Sequence, residues 1–202
     1  MGISLSKGNS ISLAKSDGSA LTKVKLALGW DSVSAAPQKK GLFGRVAAAV
    51  SGGEVDLDAS AILFDAQKNV VDKVWFQKKK SNDGALKHSG DNLTGAGDGD
   101  DEVIEIDLPR VAANVQSIVF VITSYSRQTF DQVENVFARV LDASTSRNEE
   151  VVRYDLNEGG NHTGKVIVKV YRQGNGWAIQ AIGNAANGQT VNDVTNDAAS
   201  VA

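Results

Sequence analysis

The stretch "EVDLDASAILFD", residues 54–65, alternates between apolar and polar side chains. Leu57 and Ala59 point to one face of an extended chain, because successive side chains of a β-strand point to opposite sides. Asp56 and Asp58 point to the other face. The stretch therefore predicts a β-strand that buries one face and carries two carboxylates on the other.

Short apolar or alternating runs recur along the rest of the chain. The run "SIVFVIT", residues 117–123, is almost continuously apolar, which is typical of a central strand. Further candidate strands are residues 21–30, 70–76, 102–108, 136–142, 150–156, 165–172 and 176–183. Turns rich in Gly, Asn, Asp and Ser separate them, and this spacing predicts an all-β fold, a two-sheet β-sandwich. One or two short helices are expected, at residues 109–114 and 129–135.

Three further segments of the chain differ from this strand pattern or extend it, and each predicts a particular local structure. Residues 3–15 alternate around Gly8 and Asn9 and predict a β-hairpin. Residues 33–53 are rich in Ala, Gly and basic side chains and are interpreted as an inserted loop, with a short helix at 42–50. Residues 184–202 are polar and rich in Ala and Asn, which predicts a weakly ordered C-terminal tail.

Composition narrows the class of protein. The chain has 202 residues, 42 % of them apolar, and fits a single domain with a real core. Its net charge of -3 argues against nucleic-acid binding, which usually needs a basic surface. There is no cysteine, and His88 and His162 are the only imidazoles. Any bound metal would therefore have oxygen ligands, which favours calcium or magnesium.

The ends and the hydropathy of the chain bear on its location. The N-terminal residues lack the apolar core of a secretory signal, and no apolar run approaches the roughly 20 residues of a membrane span. We therefore expect a soluble, cytoplasmic protein with no transmembrane segment of its own.

The segment "GDNLTGAGDGDDE", Gly90–Glu102, holds five carboxylates and four glycines. Carboxylates this close repel each other unless solvent or a cation neutralises them. The glycines let the backbone turn sharply and aim carbonyl oxygens inward, as a calcium loop requires. The candidate ligands in this segment are Asp91, Asn92, Thr94, Asp98, Asp100, Asp101 and Glu102.

Known loop motifs do not match this segment. Asp91 and Glu102 have the twelve-residue spacing of an EF-hand, but Leu93 and Gly95 occupy two ligand positions and Ala96 replaces the required glycine. A nonapeptide calcium repeat would need stacked copies, and a phosphate loop would need a Gly-Lys-Ser/Thr sequence. The segment is therefore not assigned to any of these motifs.

A second acidic element lies in the opening stretch. Asp56 and Asp58 would share one face of a strand and form a second wall of a cation cage, for one or two ions. The alternatives are an acidic loop that is merely solvated, or an acid–base pair of a glycosidase. Residues 78–80, three lysines, are interpreted as a basic turn that offsets the acidic loop, and His88 as a surface or hydrogen-bonding residue.

Several motifs together carry a resemblance to a known family. The sequences "LGWD", "DLDAS", "HSGDNLTGAGDGDDE", "IVFVIT", "VFARVLD" and "VVRYDL" occur in the order seen in the tellurium-resistance TerD-type stress proteins. The resemblance covers about residues 2–183, and the insert with "KKGLFG" is similar to the TerZ-like branch. It departs from the family at "ITSYSRQTF", where members often have an "IHDA"-like stretch.

This resemblance implies a calcium-binding β-sandwich domain over residues 1–183, commonly with two neighbouring calcium ions. It places the ligands among Asp56, Asp58, Asp91, Asn92, Thr94, Asp98, Asp100, Asp101 and Glu102. It also implies a non-enzymatic stress-response protein whose partners are other tellurium-resistance proteins, including an integral membrane protein. The location implied is the cytoplasm, with peripheral contact to the inner membrane as an alternative.

The residues limit the mechanism further. Chemical reduction of tellurite would need thiols or a redox cofactor, and the chain has no cysteine. We therefore expect a calcium-dependent module that assembles or signals. The alternative function is a membrane- or partner-docking adaptor that works through residues 37–50.

Overall fold

The computed structural model describes residues 2–15, 17–32, 56–90, 100–156 and 158–202. The strands in chain order are β1 (Ile3–Ser4), β2 (Ser10–Ser12), β3 (Lys23–Ser32), β4 (Leu57–Phe64), β5 (Val70–Val74), β6 (Leu86–His88), β7 (Glu102–Asp107), β8 (Ser117–Ser124), β9 (Val133–Asp142), β10 (Glu149–Asp155), β11 (Gly164–Gln173) and β12 (Gly176–Ala186). A helix α1 follows at Thr195–Val201. No helix among these residues is both long and apolar enough to cross a membrane.

The described strands form two sheets of six. The first sheet has the order β1-β10-β9-β3-β7-β6, and the second has the order β2-β12-β11-β8-β4-β5. Neighbouring strands are antiparallel except β1 and β10. The predicted two-sheet β-sandwich is confirmed, and β8, the apolar run, lies inside the second sheet with every residue buried.

Strand β4 shows why both sheets are needed. Its residues Leu57, Ala59 and neighbours on the same face belong to the main core between the sheets, as the alternation predicted. Its opposite face is buried as well, because Ile62 and Phe64 belong to a second apolar core on the outer side of the second sheet. The sequence thus indicated one buried face, and the structure buries two.

The predicted N-terminal hairpin is wrong. Strand β1 pairs with β10 in the first sheet, whereas β2 pairs with β12 in the second. A turn at Lys7 and Gly8 carries the chain from one sheet to the other, held by a bond from the Gly8 N–H to the Ala181 carbonyl. Alternation shows which side chains need burial but not which edge they cover, and here each half covers a different open edge.

The prediction of a weakly ordered tail is also corrected. Strand β12 runs on to Ala186, and the following chain packs against the outer face of the second sheet. Val191, Val194 and Ala198 are fully buried there, in the second apolar core. The few apolar residues in a polar segment are spaced so that they meet a sheet face that is itself apolar, which composition alone does not reveal.

Two short 3-10 helices, Leu108–Arg110 and Phe130–Gln132, lie where short helices were predicted. The predicted insert, residues 33–53, lies outside the described residues. The description stops at Ser32, the end of β3, and resumes just before β4.

Gly183 occupies a position that no other residue type would fit. Its φ is +66°, and a Cβ atom there would lie 2.1 Å from the Tyr154 hydroxyl oxygen. The site coincides with a change of register between β11 and β12 near Val166 and Val168. Strand β12 can therefore bend over Tyr154 only because Gly183 has no side chain.

We expect Gly183→Ala to lower the free energy of unfolding by about 1–3 kcal/mol, through overpacking and backbone strain together. Urea melts measure this change. Gly174→Ala is the matched control, because Gly174 also has a positive φ but has nothing within 4 Å of the added carbon. Tyr154→Phe in the Gly183→Ala background should recover part of the loss. Equal effects at both glycines would contradict the close contact.

We expect Val194→Ala to cost about 1.5–3 kcal/mol of stability, because it leaves a cavity under the second sheet. Val70→Ala is the control, since Val70 is 42 % exposed and should change stability by less than about 0.5 kcal/mol. Thermal and urea melts give both values. If the Val194 variant were as stable as the Val70 variant, the result would support a weakly ordered C-terminal tail instead of a packed one.

Candidate functional site

The acidic end of the sandwich is built from the starts of β4 and β7. The structure describes five of the predicted ligands, namely Asp56, Asp58, Asp100, Asp101 and Glu102. The other predicted ligands, Asp91, Asn92, Thr94 and Asp98, lie outside the described residues. The described part of the chain stops at Gly90 and resumes at Asp100, and both of these residues lie at this end.

Asp100 is bound by an arginine. Its two carboxylate oxygens accept hydrogen bonds from Arg139 Nε at 2.7 Å and Nη2 at 3.0 Å. Arg139 lies on β9 opposite Ala27 of β3, the strand that separates β9 from β7. The hydrogen bonds that Arg139 donates to Asp100 raise the pKa of Arg139, and Glu150 adds to this effect. Asp100 thus already has a cationic partner.

Asp101 extends the pairing of β7 with β3. Its N–H donates to the Leu28 carbonyl at 2.8 Å, and its carboxylate accepts from the Trp30 N–H at 2.9 Å. The side chain therefore takes the place of a backbone acceptor beyond the end of the ladder. Asp101 joins the start of β7 to the strand beside it.

Glu102 joins the two sheets. Its side chain is fully buried, and Oε2 accepts a 2.6 Å hydrogen bond from the Ala59 N–H on β4. His88 Nε2 lies 3.1 Å from the Ala59 carbonyl, and His88 Nδ1 accepts from the Gly90 N–H at 3.1 Å. With Nδ1 as an acceptor, Nε2 is the ring nitrogen that can donate to the Ala59 carbonyl. Glu102 and His88 from the first sheet thus bind the backbone N–H and the backbone carbonyl of Ala59 in the second sheet.

Asp58 lies on the face of β4 that points away from the main core, as predicted. It is 3 % exposed, and Thr123 is its cross-strand neighbour on β8. Ser60 is two residues along the same face. The hydroxyl oxygens of Ser60 and Thr123 are buried with no hydrogen-bond partner within the part of the chain that the structure describes. Buried hydroxyls normally find a partner, so the two unpaired hydroxyl oxygens beside Asp58 are unusual.

The described residues alone do not form a metal centre. Among them, no group of three or more His, Asp or Glu side chains lies close enough to hold an ion. Asp100, Asp101 and Glu102 are directed to three different strands, β9, β3 and β4. A cation site at this end would therefore need ligands from the undescribed residues 91–99 in addition to Asp58 and its neighbours.

Several partners at this end carried weak sequence signals or none. His88 is 2 % exposed, so the expectation of a surface residue is wrong and that of a hydrogen-bonding residue is confirmed. Arg139 is one polar residue in the candidate strand 136–142, and nothing in that run indicates its partner. Lys78 binds the buried Asp72, so the basic turn offsets a nearby carboxylate of its own hairpin. Pairing across strands and sheets depends on register, which the sequence does not display.

The protein is a two-sheet β-sandwich with acidic residues at the starts of β4 and β7. Comparisons with known proteins identify its family. The model of the TerD domain matches residues 1–197. Tellurium resistance protein TerZ of Serratia marcescens is 44 % identical over 197 residues, which are 96 % of each chain. Stress response protein SCP2 of Bacillus subtilis (strain 168) is 36 % identical over 96 % of this chain and 98 % of its own. The chain belongs to the TerD family.

A solved structure has the same fold. A homologue of telluride resistance protein (TerD) from Streptomyces coelicolor A3(2) matches with a TM-score of 0.67, covering 87 % of this chain and 96 % of its own, at 20 % identity. Relatives named for tellurium resistance and for stress response support a stress-response role for the family.

We expect Glu102→Leu to cost about 1–3 kcal/mol, because the buried Ala59 N–H loses its acceptor. Glu105→Leu on the same strand is the control, since the Glu105 side chain is 51 % exposed and its loss should cost little. Urea melts give the energies, and amide exchange should become faster at Ala59 only in the Glu102 variant. Unchanged amide exchange at Ala59 in the Glu102 variant would contradict the hydrogen bond between Glu102 and Ala59.

Proposed function

We propose that the protein is a calcium-binding, non-enzymatic module of the stress response. The observation that carries the proposal is the environment of Asp58, a buried carboxylate flanked by the buried hydroxyl oxygens of Ser60 and Thr123. Carboxylate and hydroxyl oxygens are hard ligands of the kind that calcium takes, six to eight at a time. Family membership supports the stress-response part of the proposal.

The residue types at this end fit a calcium ion. Ala59, next to Asp58, is bonded to Glu102 at the start of β7, where the undescribed acidic segment returns to the sandwich. That segment supplies Asp91, Asn92, Thr94 and Asp98, and each carboxylate has lone pairs to spare beyond one hydrogen bond. Asp58 and residues 91–99 are therefore the proposed ligands, with Asp56, Asp101 and Glu102 close by. Asp100 is the weakest of the predicted ligands, because Arg139 already binds both of its oxygens.

Calcium would act here as a conformational ligand. A cation held between the undescribed acidic segment and the start of β4 would tie residues 91–99 to the two-sheet junction. Rigid segments present a defined surface to a partner at lower entropic cost than mobile ones. The proposed partners are other tellurium-resistance proteins, including an integral membrane protein, and the proposed compartment is the cytoplasm. The adaptor function of residues 37–50 stays a prediction, since those residues lie outside the described part.

Calcium should raise the melting temperature by about 5–10 °C at a hundredfold excess over its dissociation constant, because it binds only the folded chain. Differential scanning calorimetry in calcium, magnesium and chelator measures the shift. Asp58→Asn and Asp98→Asn should each remove most of it.

Glu105→Gln serves as the control for these variants, because it removes a carboxylate from the same strand as Glu102 at an exposed position. It should leave the calcium shift unchanged. Identical melting in calcium and in chelator would overturn the proposal. A shift that survives in both Asp variants would place the ion elsewhere on the protein.

A further inference from the structure

A cavity of about 370 Å³ opens where β1, β10 and the ends of β11 and β12 meet. Its lining includes Lys7, Lys165, Tyr154 and Glu158, together with Ser4 and Ser6. None of the predicted metal ligands that the structure describes lines it. The volume is at the lower end of the range of small-molecule sites.

Lys165 is the unusual member of this lining. It is 2 % exposed, and its neighbour on β8, Ile122, belongs to the core between the sheets. Its ammonium group donates to the Glu158 carbonyl oxygen and lies 5.4 Å from the centre of the Phe130 ring. One bond to the protein leaves two of the three ammonium donors for other acceptors. Burial of an ammonium group is costly unless a counter-charge accompanies it.

The counter-charges near Lys165 are few in the described residues. No carboxylate there is within ion-pair distance of Lys165 or of Lys7. Burial lowers the pKa of Lys165, the nearby Glu158 carboxylate opposes this, and Lys7 lowers the pKa further. The Glu158 side chain is solvent-exposed, and the Asp155 carboxylate is bound to Arg153 at 2.8 Å. The lining therefore holds two ammonium groups and two carboxylates, of which Asp155 is already paired with Arg153 and Glu158 is turned to solvent.

The other donors converge on the same space. Lys7 Nζ donates to the Gly183 carbonyl at 3.0 Å, and the Tyr154 hydroxyl lies directly over Gly183. A side chain at position 183 would displace Tyr154, so the absence of one keeps the phenol at the cavity wall. Burial, with the Glu158 carboxylate adding to it, raises the pKa of Tyr154, which keeps its O–H as a donor.

We propose that this cavity binds a small oxyanion, with the ammonium groups of Lys165 and Lys7 as charged ligands and the Tyr154 hydroxyl as a further donor. Charge-assisted hydrogen bonds to an oxyanion would supply the counter-charge that Lys165 lacks. Phosphate- or sulfate-sized anions fit the volume together with water. The site is separate from the proposed calcium site in its residues and in the sign of its ligand.

The test is a titration with inorganic phosphate, and in a second arm with sulfate, at constant ionic strength and with a calcium chelator present. Two-dimensional NMR of the lysine Cε–H signals should show a saturable shift at Lys165 and Lys7. Lys165→Met should weaken binding about tenfold or more, and Lys7→Met by a smaller factor. Lys165→Arg should retain most of the affinity, because it keeps the charge.

Lys169→Met is the matched control. Lys169 is also partly buried and also donates to a backbone carbonyl, that of Val201 at 2.7 Å, but it does not line the cavity. Its loss should leave anion binding unchanged. A wild-type protein without a saturable shift, or a Lys7→Met variant that binds phosphate as the wild type does, would overturn the site. Because chelator is present, this outcome is independent of whether calcium binds.

Discussion

The edge of strand β4 imposes the constraint on which the acidic end depends. Strand β5 pairs with β4 only from Ala61 onward, so the N–H and carbonyl of Ala59 face no strand of their own sheet. Buried backbone groups without partners cost free energy comparable to a lost hydrogen bond. Glu102 and His88 from the other sheet satisfy them, and this contact fixes how the two sheets meet at this end.

The three consecutive carboxylates at the start of β7 therefore have structural partners. Asp100 binds Arg139 on β9, Asp101 accepts from β3, and Glu102 accepts from β4. Like charges placed side by side would repel, but each is turned toward a different strand and a different donor. The same arrangement brings the returning end of the acidic segment next to Asp58. In segment 90–102, the last three carboxylates therefore stabilise the fold, and the proposed cation ligands lie just before them in the chain.

Two lysines on β11, Lys165 and Lys169, also bind backbone groups, but as cations that donate to carbonyl oxygens. Lys165 sits at the edge of the core with a single backbone acceptor, beside the exposed cavity that holds Lys7 and Tyr154. Lys169, on the same strand, has its ammonium group on a carbonyl near the end of helix α1. In both cases the strand carries the lysine stem through apolar surroundings and the charged end lies at the margin of the fold.

The sequence by itself determined the class of fold, the strand pattern and the composition of the acidic segment. Alternation at residues 54–65 and the apolar run at 117–123 are local properties, and local properties survive into the structure. The segment 184–202 shows the limit, because its ordering depends on an apolar sheet face formed by residues far away in the chain. The two halves of the N-terminal segment likewise join different sheets, which their own sequence does not distinguish.

Only the tertiary structure decided the partners of the acidic residues. Asp100, Asp101 and Glu102 are equivalent on paper, yet strand register assigns each of them a different donor. The same register places Thr123 opposite Asp58 and turns Lys165 inward beside Ile122. The sequence indicated which residue types could bind a cation, because that property belongs to each side chain by itself. It did not indicate their partners, because contact depends on how distant strands align.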